Sequence, residues 1–202
     1  MQYAIINLLN MFYWISYNIF KLISKLFLPY TIIGKENVPE KGGFILASNH
    51  LSYLDPLMVG ISCDQKISYM ARDSLFRNKF FGGLIRLGHA FPVKRNTADI
   101  GALREAIRRL KGGEPVLLFP EGSRQAVKGQ GKVESGIGFI AIKAGVPLIP
   151  VKITGTDKAL PPGAKWFKKH SMTLEFGKPI FSSPQDTYED VARRIMQQIY
   201  SI

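Results

Sequence analysis

A single cysteine, Cys63, among 202 residues excludes an intrachain disulfide; it suits a reducing compartment, with the thiol serving as a small buried hydrophobe. The three histidines, His50, His89 and His170, are far apart and without ligand spacing, so no metal centre is expected. No Gly-x-Ser-x-Gly elbow occurs, which argues against a serine acyl-enzyme. Internal repeats and low-complexity tracts are lacking, leaving one ordinary domain with a sizeable core and an appendage as the economical organisation. Acidic residues are scarce: 15 against 27 lysines and arginines, a formal charge of +12. That imbalance calls for an anionic partner, and nucleic acid and an anionic membrane are the two candidates.

What the chain does have is a long apolar opening. Residues 3 to 28 are almost entirely Ile, Leu, Phe, Tyr, Trp and Met. On a wheel of about 100° per residue, Asn7, Asn10, Asn18, Lys21 and Lys25 fall in a stripe roughly 80° wide. Such a helix would be about 39 Å long against a hydrocarbon core of about 30 Å, but its polar stripe runs along most of its length. This favours a helix lying in or dipping into one leaflet over a clean span. The competing reading is a helix buried in a soluble core or a dimer. No positive n-region precedes it and no small-residue cleavage site follows, so a signal peptide is not expected. Pro29 ends it. We therefore divide the chain into a membrane-associated helix, 1–30, and a globular domain, 31–202.

Two polar turns stand out in that domain. The apolar run Phe44 to Ala47 reads as a buried strand ending in Asn49-His50-Leu51-Ser52-Tyr53-Leu54-Asp55, with Pro56 opening a helix. A turn between them lets Asp55 reach His50, fix its tautomer and leave the other ring nitrogen as a general base. Alternatively Asp55 is an ordinary N-cap, with Ser52 forming a capping box. A second short strand, Val116 to Phe119, runs straight into Pro120-Glu121-Gly122-Ser123-Arg124, which suggests one shared rim. Further strands are expected at 32–33, 67–71, 87–93, 146–154 and 172–176. Helices are expected at 56–62, 97–111, 136–144 and 187–202, the second with Ile100, Leu103, Ile107 and Leu110 on one face and Arg104, Arg108 and Arg109 mostly outward, the last with Val191, Ile195 and Ile199 inward. Residues 72–81 are assigned to core packing. Alternating short strands and helices give an α/β fold, a mixed sheet flanked by helices.

With both turns in view, the chain resembles the glycerolipid acyltransferases. Asn49 to Asp55 looks like their His-x4-Asp motif, and Phe119 to Arg124 resembles their second signature. Phe91-Pro92-Val93-Lys94-Arg95 and Val146 to Val151 stand where two further blocks fall, so the likeness covers roughly residues 35 to 155. The closest members are the 1-acyl-sn-glycerol-3-phosphate acyltransferases. The resemblance implies acyl transfer from acyl carrier protein or coenzyme A thioester, as co-substrate rather than cofactor, to a lysophospholipid hydroxyl, yielding phosphatidic acid. His50 is then the general base and Asp55 its partner. Arg95 and Arg124 neutralise phosphate, Glu121 holds the acceptor or braces its loop, and Gly122 offers a backbone amide to the oxyanion. Ser123 and Lys128 complete the acceptor site. Val133 and Glu134 stand where the family often carries Phe-Lys, so the acceptor headgroup is expected to be held differently. The implied setting is the cytoplasmic face of a membrane, without nucleic acid. Lys165-Trp166-Phe167-Lys168-Lys169-His170 suits anionic headgroups, although single-stranded nucleic acid would suit it too. A sister acyltransferase, an acyl-thioester hydrolase and a non-enzymatic membrane module remain as alternatives.

Overall fold

A computed structural model describes residues 2–94, 99–122, 135–161 and 163–202. Helix α1 (Gln2–Phe27) leads into strand β1 (Tyr30–Ile33), and β2 (Ile45–Ser48) precedes α2 (Asp55–Ser62). Next come β3 (Ser68–Arg72), α3 (Lys79–Leu87), β4 (Ala90–Val93), α4 (Ile100–Lys111) and β5 (Val116–Leu118). The remainder is α5 (Gly136–Ala144), β6 (Leu148–Thr154), a single turn α6 (Thr156–Ala159), β7 (Met172–Phe176) and α7 (Tyr188–Ser201). The described strands form one sheet in the order β1-β7-β6-β2-β5-β3-β4. All neighbours are parallel except β6 and β7, so the sheet is mixed, as expected.

The central strands are apolar on both faces because both faces are covered. Phe44, Ile45, Leu46 and Ala47 are each fully buried. Their alternation feeds two cores. Phe44 and Leu46 join Met58, Ile149 and Leu174 under α1 and α2, while Ile45 and Ala47 join Leu110, Ile140, Ile195 and Ile199 under α4, α5 and α7. Cys63 is buried in the first of these cores, where burial also raises its thiol pKa. Helix α7 opens on a capping box between Thr187 and Asp190.

Helix α1 leaves much of its apolar surface exposed, alongside Asn7, Asn18 and Lys25 of its polar stripe. Tyr13, Ser24 and Leu28 face the domain together with part of the polar stripe: Lys66 Nζ donates to Asn10 Oδ1 at 2.8 Å, and Lys21 Nζ lies 3.3 Å from the Tyr17 hydroxyl. The outward side is mostly apolar, with Ile19 54%, Leu22 60%, Leu26 66% and Phe27 58% exposed. Among the described residues no helix is long and apolar enough to cross a membrane.

Three expectations need correction. Leu87 to His89 is not strand. Helix α3 runs to Leu87, and His89 sits at φ 71°, a left-handed turn that lets β4 start only at Ala90. Residues 72–81 are not core packing: they hold a 3₁₀ turn and the start of α3, where Phe80 is 85% exposed. Helix α4 is capped by Asp99, whose Oδ1 accepts from Ala102 N, and buries Ala102, Ala106 and Leu110, so Ile100 falls outside its inward face. Arg109, expected to point mostly outward, lies over the Phe91 ring and donates to Ser68 Oγ and the His89 carbonyl.

His89 gives the fold a pH dependence. Its ring is held near Ser68 Oγ at 3.1 Å, with Lys66, Arg109 and Glu114 close by. Burial, reinforced by the Lys66 charge, lowers its pKa from 6.5 to about 4. The unfolded chain therefore takes up the proton first. The contribution of this neutral histidine is complete above about 6.5 and is lost as pH falls toward about 4. In urea melts between pH 7 and 4, His89→Asn, which tolerates a positive φ, should show a shallower loss of stability than the parent chain. Parallel curves would rule His89 out.

Candidate active site

The strand β2 ends in a turn held by side-chain hydrogen bonds, although Asp55 Oδ1 is buried without a partner among the described residues. Asn49, 3% exposed, clamps the neighbouring strand: its Nδ2 donates to Ile153 O at 2.9 Å and its Oδ1 accepts from Ile153 N at 2.7 Å. Next in sequence, His50 is folded back over the start of α2. Its Nδ1 lies 2.8 Å from Asp55 Oδ2, and the same oxygen accepts from Leu51 N at 2.6 Å and Ser52 N at 2.7 Å. Asp55 is fully buried at the first residue of α2, where the positive helix end favours its charge. A buried carboxylate ringed by three N–H donors holds the Nδ1–H tautomer of His50, which leaves Nε2 as a proton acceptor. Nε2 makes no hydrogen bond with a described residue. The Phe119 ring stacks on the imidazole at 4.0 Å between centroids and 21° between planes, fixing its orientation from the β5 side.

Only half of a capping box forms here: Asp55 Oδ2 accepts from Ser52 N, but the helix N-cap is Leu54, without a side-chain cap, and the Ser52 hydroxyl accepts from Leu54 N at 3.3 Å and donates to Leu160 O at 3.1 Å. Among the described residues, the Ser48 hydroxyl is committed to Asn49 O, and Cys63 lies at the far end of α2.

The second turn follows β5 at the same rim, since Ala47 pairs with Leu118 in parallel register. Glu121, 4% exposed, receives a hydrogen bond from the Tyr200 hydroxyl of α7 on Oε1, whereas its Oε2 is buried without a partner. Gly122 adopts φ 65°, which glycine tolerates, and its N–H donates to Phe119 O at 2.9 Å, so that amide is committed within the turn rather than offered to an oxyanion. Of the expected site residues, His50, Asp55, Glu121 and Gly122 thus share one rim. Arg95, Ser123, Arg124 and Lys128 lie outside the described residues, as does the place of the missing Phe-Lys pair. Sequence reasoning missed three contributors: the Asn49 clamp, the stacking of Phe119 and the Tyr200 contact. Only Phe119 carried a signal, as the aromatic leading into the second motif.

With this geometry in hand, comparison with known proteins is informative. A family model described as Acyltransferase matches residues 30–154. The 1-acyl-sn-glycerol-3-phosphate acyltransferase of Bacillus subtilis is 33% identical over 164 residues, covering 81% of this chain and 79% of that protein. The chloroplastic 1-acyl-sn-glycerol-3-phosphate acyltransferase of Brassica napus is 30% identical over 166 residues, covering 80% of this chain but 48% of that one, so the chain spans about half of the plant relative. Among solved structures, the 1-acyl-sn-glycerophosphate acyltransferase from Thermotoga maritima superposes with a TM-score of 0.73 at 25% identity, over 96% of this chain and 77% of that one.

Two substitutions test the site as a built object. Asp55→Ala strips three N–H donors of their acceptor and should cost about 2–4 kcal/mol in a denaturant melt. A midpoint equal to the parent's would show that the carboxylate does not hold the turn. Tyr200→Phe leaves Glu121 buried without its donor and should cost about 1–3 kcal/mol. Combining it with Glu121→Gln should give less than the sum of the two single effects, and strict additivity would argue that the contact is idle.

Proposed function

The chain belongs to the acyltransferase family, and from that premise we propose that it transfers a fatty acyl group from an acyl carrier protein or coenzyme A thioester to the free hydroxyl of 1-acylglycerol 3-phosphate, giving phosphatidic acid. The observation that carries the mechanism is the buried His50–Asp55 pair, at 2.8 Å.

Nε2 of His50 takes the proton of the acceptor hydroxyl as its oxygen attacks the thioester carbonyl. Asp55 keeps the ring in register and stabilises the imidazolium that forms. Collapse of the tetrahedral intermediate breaks the C–S bond, and the departing thiolate takes the proton from Nε2, which restores the neutral ring. Donor and acceptor meet in one direct transfer without an acyl-enzyme, a reading supported by the hydroxyls of Ser48 and Ser52 on the same turn, which donate to backbone carbonyls. Glu121, held by Tyr200, braces the second turn, and the arginines of the two flanking motifs, Arg95 and Arg124, supply planar forks for the acceptor phosphate. Ser123 and Lys128 extend the same acceptor contact. No cofactor enters this scheme.

The acceptor is an amphiphile, so the enzyme works where amphiphiles reside. The outward apolar face of α1 provides the membrane contact, peripheral rather than spanning, on the cytoplasmic face.

Thiol release from acyl-CoA and from acyl carrier protein, with and without 1-acylglycerol 3-phosphate, tests the reaction. Release should require the acceptor and should fall at least about 10³-fold in His50→Ala. Release that ignores the acceptor would instead mark a thioester hydrolase. For the membrane contact, deleting α1 would strip the buried Tyr13 and Ser24 from the domain, so the informative variant is Leu22→Ser with Leu26→Ser. It should co-sediment more weakly with anionic vesicles at unchanged thermal stability, and unaltered co-sedimentation would remove α1 from the interface.

A further inference from the structure

The sheet register brings an unassigned basic and aromatic loop to the histidine's end of the molecule. Strand β2 runs parallel to β6, with Ser48 opposite Val151, and β7 runs back along β6, with Thr173 opposite Thr154. The segment that enters β7, residues 165–170, therefore emerges beside the carboxyl ends of β2 and β6. It also emerges where α1 hands the chain to β1: Met172 N donates to Pro29 O at 2.9 Å, and Tyr30 pairs with Met172.

The loop is anchored at its base and bare at its tip. Lys168 N donates to Ala159 O at 2.7 Å, and Phe167 packs into the core that holds Leu28 and Leu160. Leu160 O in turn receives the Ser52 hydroxyl of the catalytic turn, so loop and turn are one tied unit. Trp166 stacks on Phe167 at 5.0 Å and remains 74% exposed. Lys165, Lys168 and Lys169 are exposed and have no ion-pair partner among the described residues. No acidic residue occurs between Lys158 and Glu175. A rigidly placed indole flanked by unpaired lysines fits two classes of anion, a phospholipid surface or a single strand of nucleic acid.

The neighbouring surface separates them. Tyr53 and Leu57, on the turn and first helical residues after His50, are 61% and 47% exposed, and α1 ends in exposed Leu26 and Phe27. Leu26 and Leu57 offer a nucleic-acid strand neither a charge nor a stacking plane, whereas leucines set among Tyr53 and Phe27 suit the boundary between acyl chains and headgroups. His50 lies on this same face: Asp55 opens α2, and Phe119, stacked on the imidazole, packs against the core under α1 and α2.

We propose that loop 165–170 is a second seat on an anionic bilayer, with Trp166 inserted and its three lysines on lipid phosphates, so that α1 and the loop together hold the open side of His50 against the membrane. This rests on reading the chain as an acyltransferase of membrane lipids. One attachment line along α1 would leave the domain free to roll about the helix axis. A second contact at the catalytic end removes that freedom and lets a lysophospholipid reach Nε2 laterally.

The chain has two tryptophans, so Trp14→Phe isolates Trp166, and Phe keeps an aromatic ring against Tyr13 and Tyr17. With vesicles containing phosphatidylglycerol and lipids brominated along the acyl chain, Trp166 emission should shift to the blue and be quenched at least twofold. Quenching should disappear when Lys165, Lys168 and Lys169 are all changed to Gln, or when the vesicles are purely zwitterionic. Co-sedimentation without quenching overturns the proposal, and so does an emission change on adding a single-stranded oligonucleotide but not vesicles, which would reassign the loop to nucleic acid. Trp166→Ala should slow turnover of lysolipid presented in anionic vesicles about tenfold while leaving turnover of a monomeric short-chain acceptor unchanged. Equal losses in both assays also overturn it. The quenching readout needs no turnover, so it stands or falls separately from the acyltransferase reading.

Discussion

One carboxylate oxygen organises the catalytic end. Asp55 Oδ2 accepts from His50 Nδ1, Leu51 N and Ser52 N, all within 2.8 Å, in a position with no solvent exposure. A charge buried so completely is tolerable only when it is ringed by donors, and here two of the three are backbone groups of the turn itself. The five-residue spacing follows from this. A residue four or five positions before a helix start, on a turn curled around the carboxylate, is where an imidazole can supply the third donor. The same oxygen therefore does three things: it closes the turn, it starts α2 with a negative charge at its positive end, and it chooses the tautomer of the base. The turn in turn is held to β6 by Asn49 and to the segment after α6 by Ser52, so the histidine is referenced to the sheet from two sides.

The two signature turns divide their work across the sheet edge. His50 is supported by α2 and by Phe119, members of the core under α1. Glu121, two residues beyond Phe119, reaches a tyrosine of α7, whose neighbours belong to the opposite core. Residues two apart on a strand share a face, so it is the turn beginning at Pro120 that carries Glu121 round to the far layer while Phe119 stays with the base. Helix α7 lies beyond residues 30–154, which the acyltransferase family model matches, yet it supplies the donor for a residue inside one of that family's motifs. The C-terminal helix is thus part of the site's support as well as of its core.

Much of this was legible from pattern. Short apolar runs ending in polar turns located β2 and β5, the period of α7 named Val191, Ile195 and Ile199 as inward, and the Asn49 to Asp55 spacing identified the dyad. What could not be read is equally specific. Residues 87 to 93 look continuous in hydrophobicity, and only the left-handed turn at His89 separates the end of α3 from β4. Local preference discourages that conformation for histidine, so tertiary contacts through Ser68 and Arg109 impose it. Arg109 was assigned outward by its charge, yet its stem and guanidinium cover Phe91 and satisfy a carbonyl, a case of a long cation packing as an aromatic neighbour. The Glu121 to Tyr200 contact joins residues 79 apart and has no local signature at all.

The exposed apolar surface of α1 bears on the rest of the composition. In water an amphipathic helix turns its large apolar side chains inward, because each one left exposed forgoes about 1.5–3 kcal/mol of burial. Here Asn10 bonds to Lys66, and Tyr17, which Lys21 contacts, donates to Ile61 O, while Asn7, Asn18 and Lys25 are exposed along with Leu22, Leu26 and Phe27. On the proposed reading, a sustained apolar run along a helix of 26 residues matches the plane of a lipid leaflet better than a small ligand. The excess of lysine and arginine would then orient the domain, since headgroup attraction acts over a Debye length of about 8 Å. An amphiphilic acceptor cannot leave a bilayer without exposing its acyl chain, so the proposed base would have to be carried to the interface. The rim bearing His50 lies at the same end of the sheet at which α1 delivers the chain into β1.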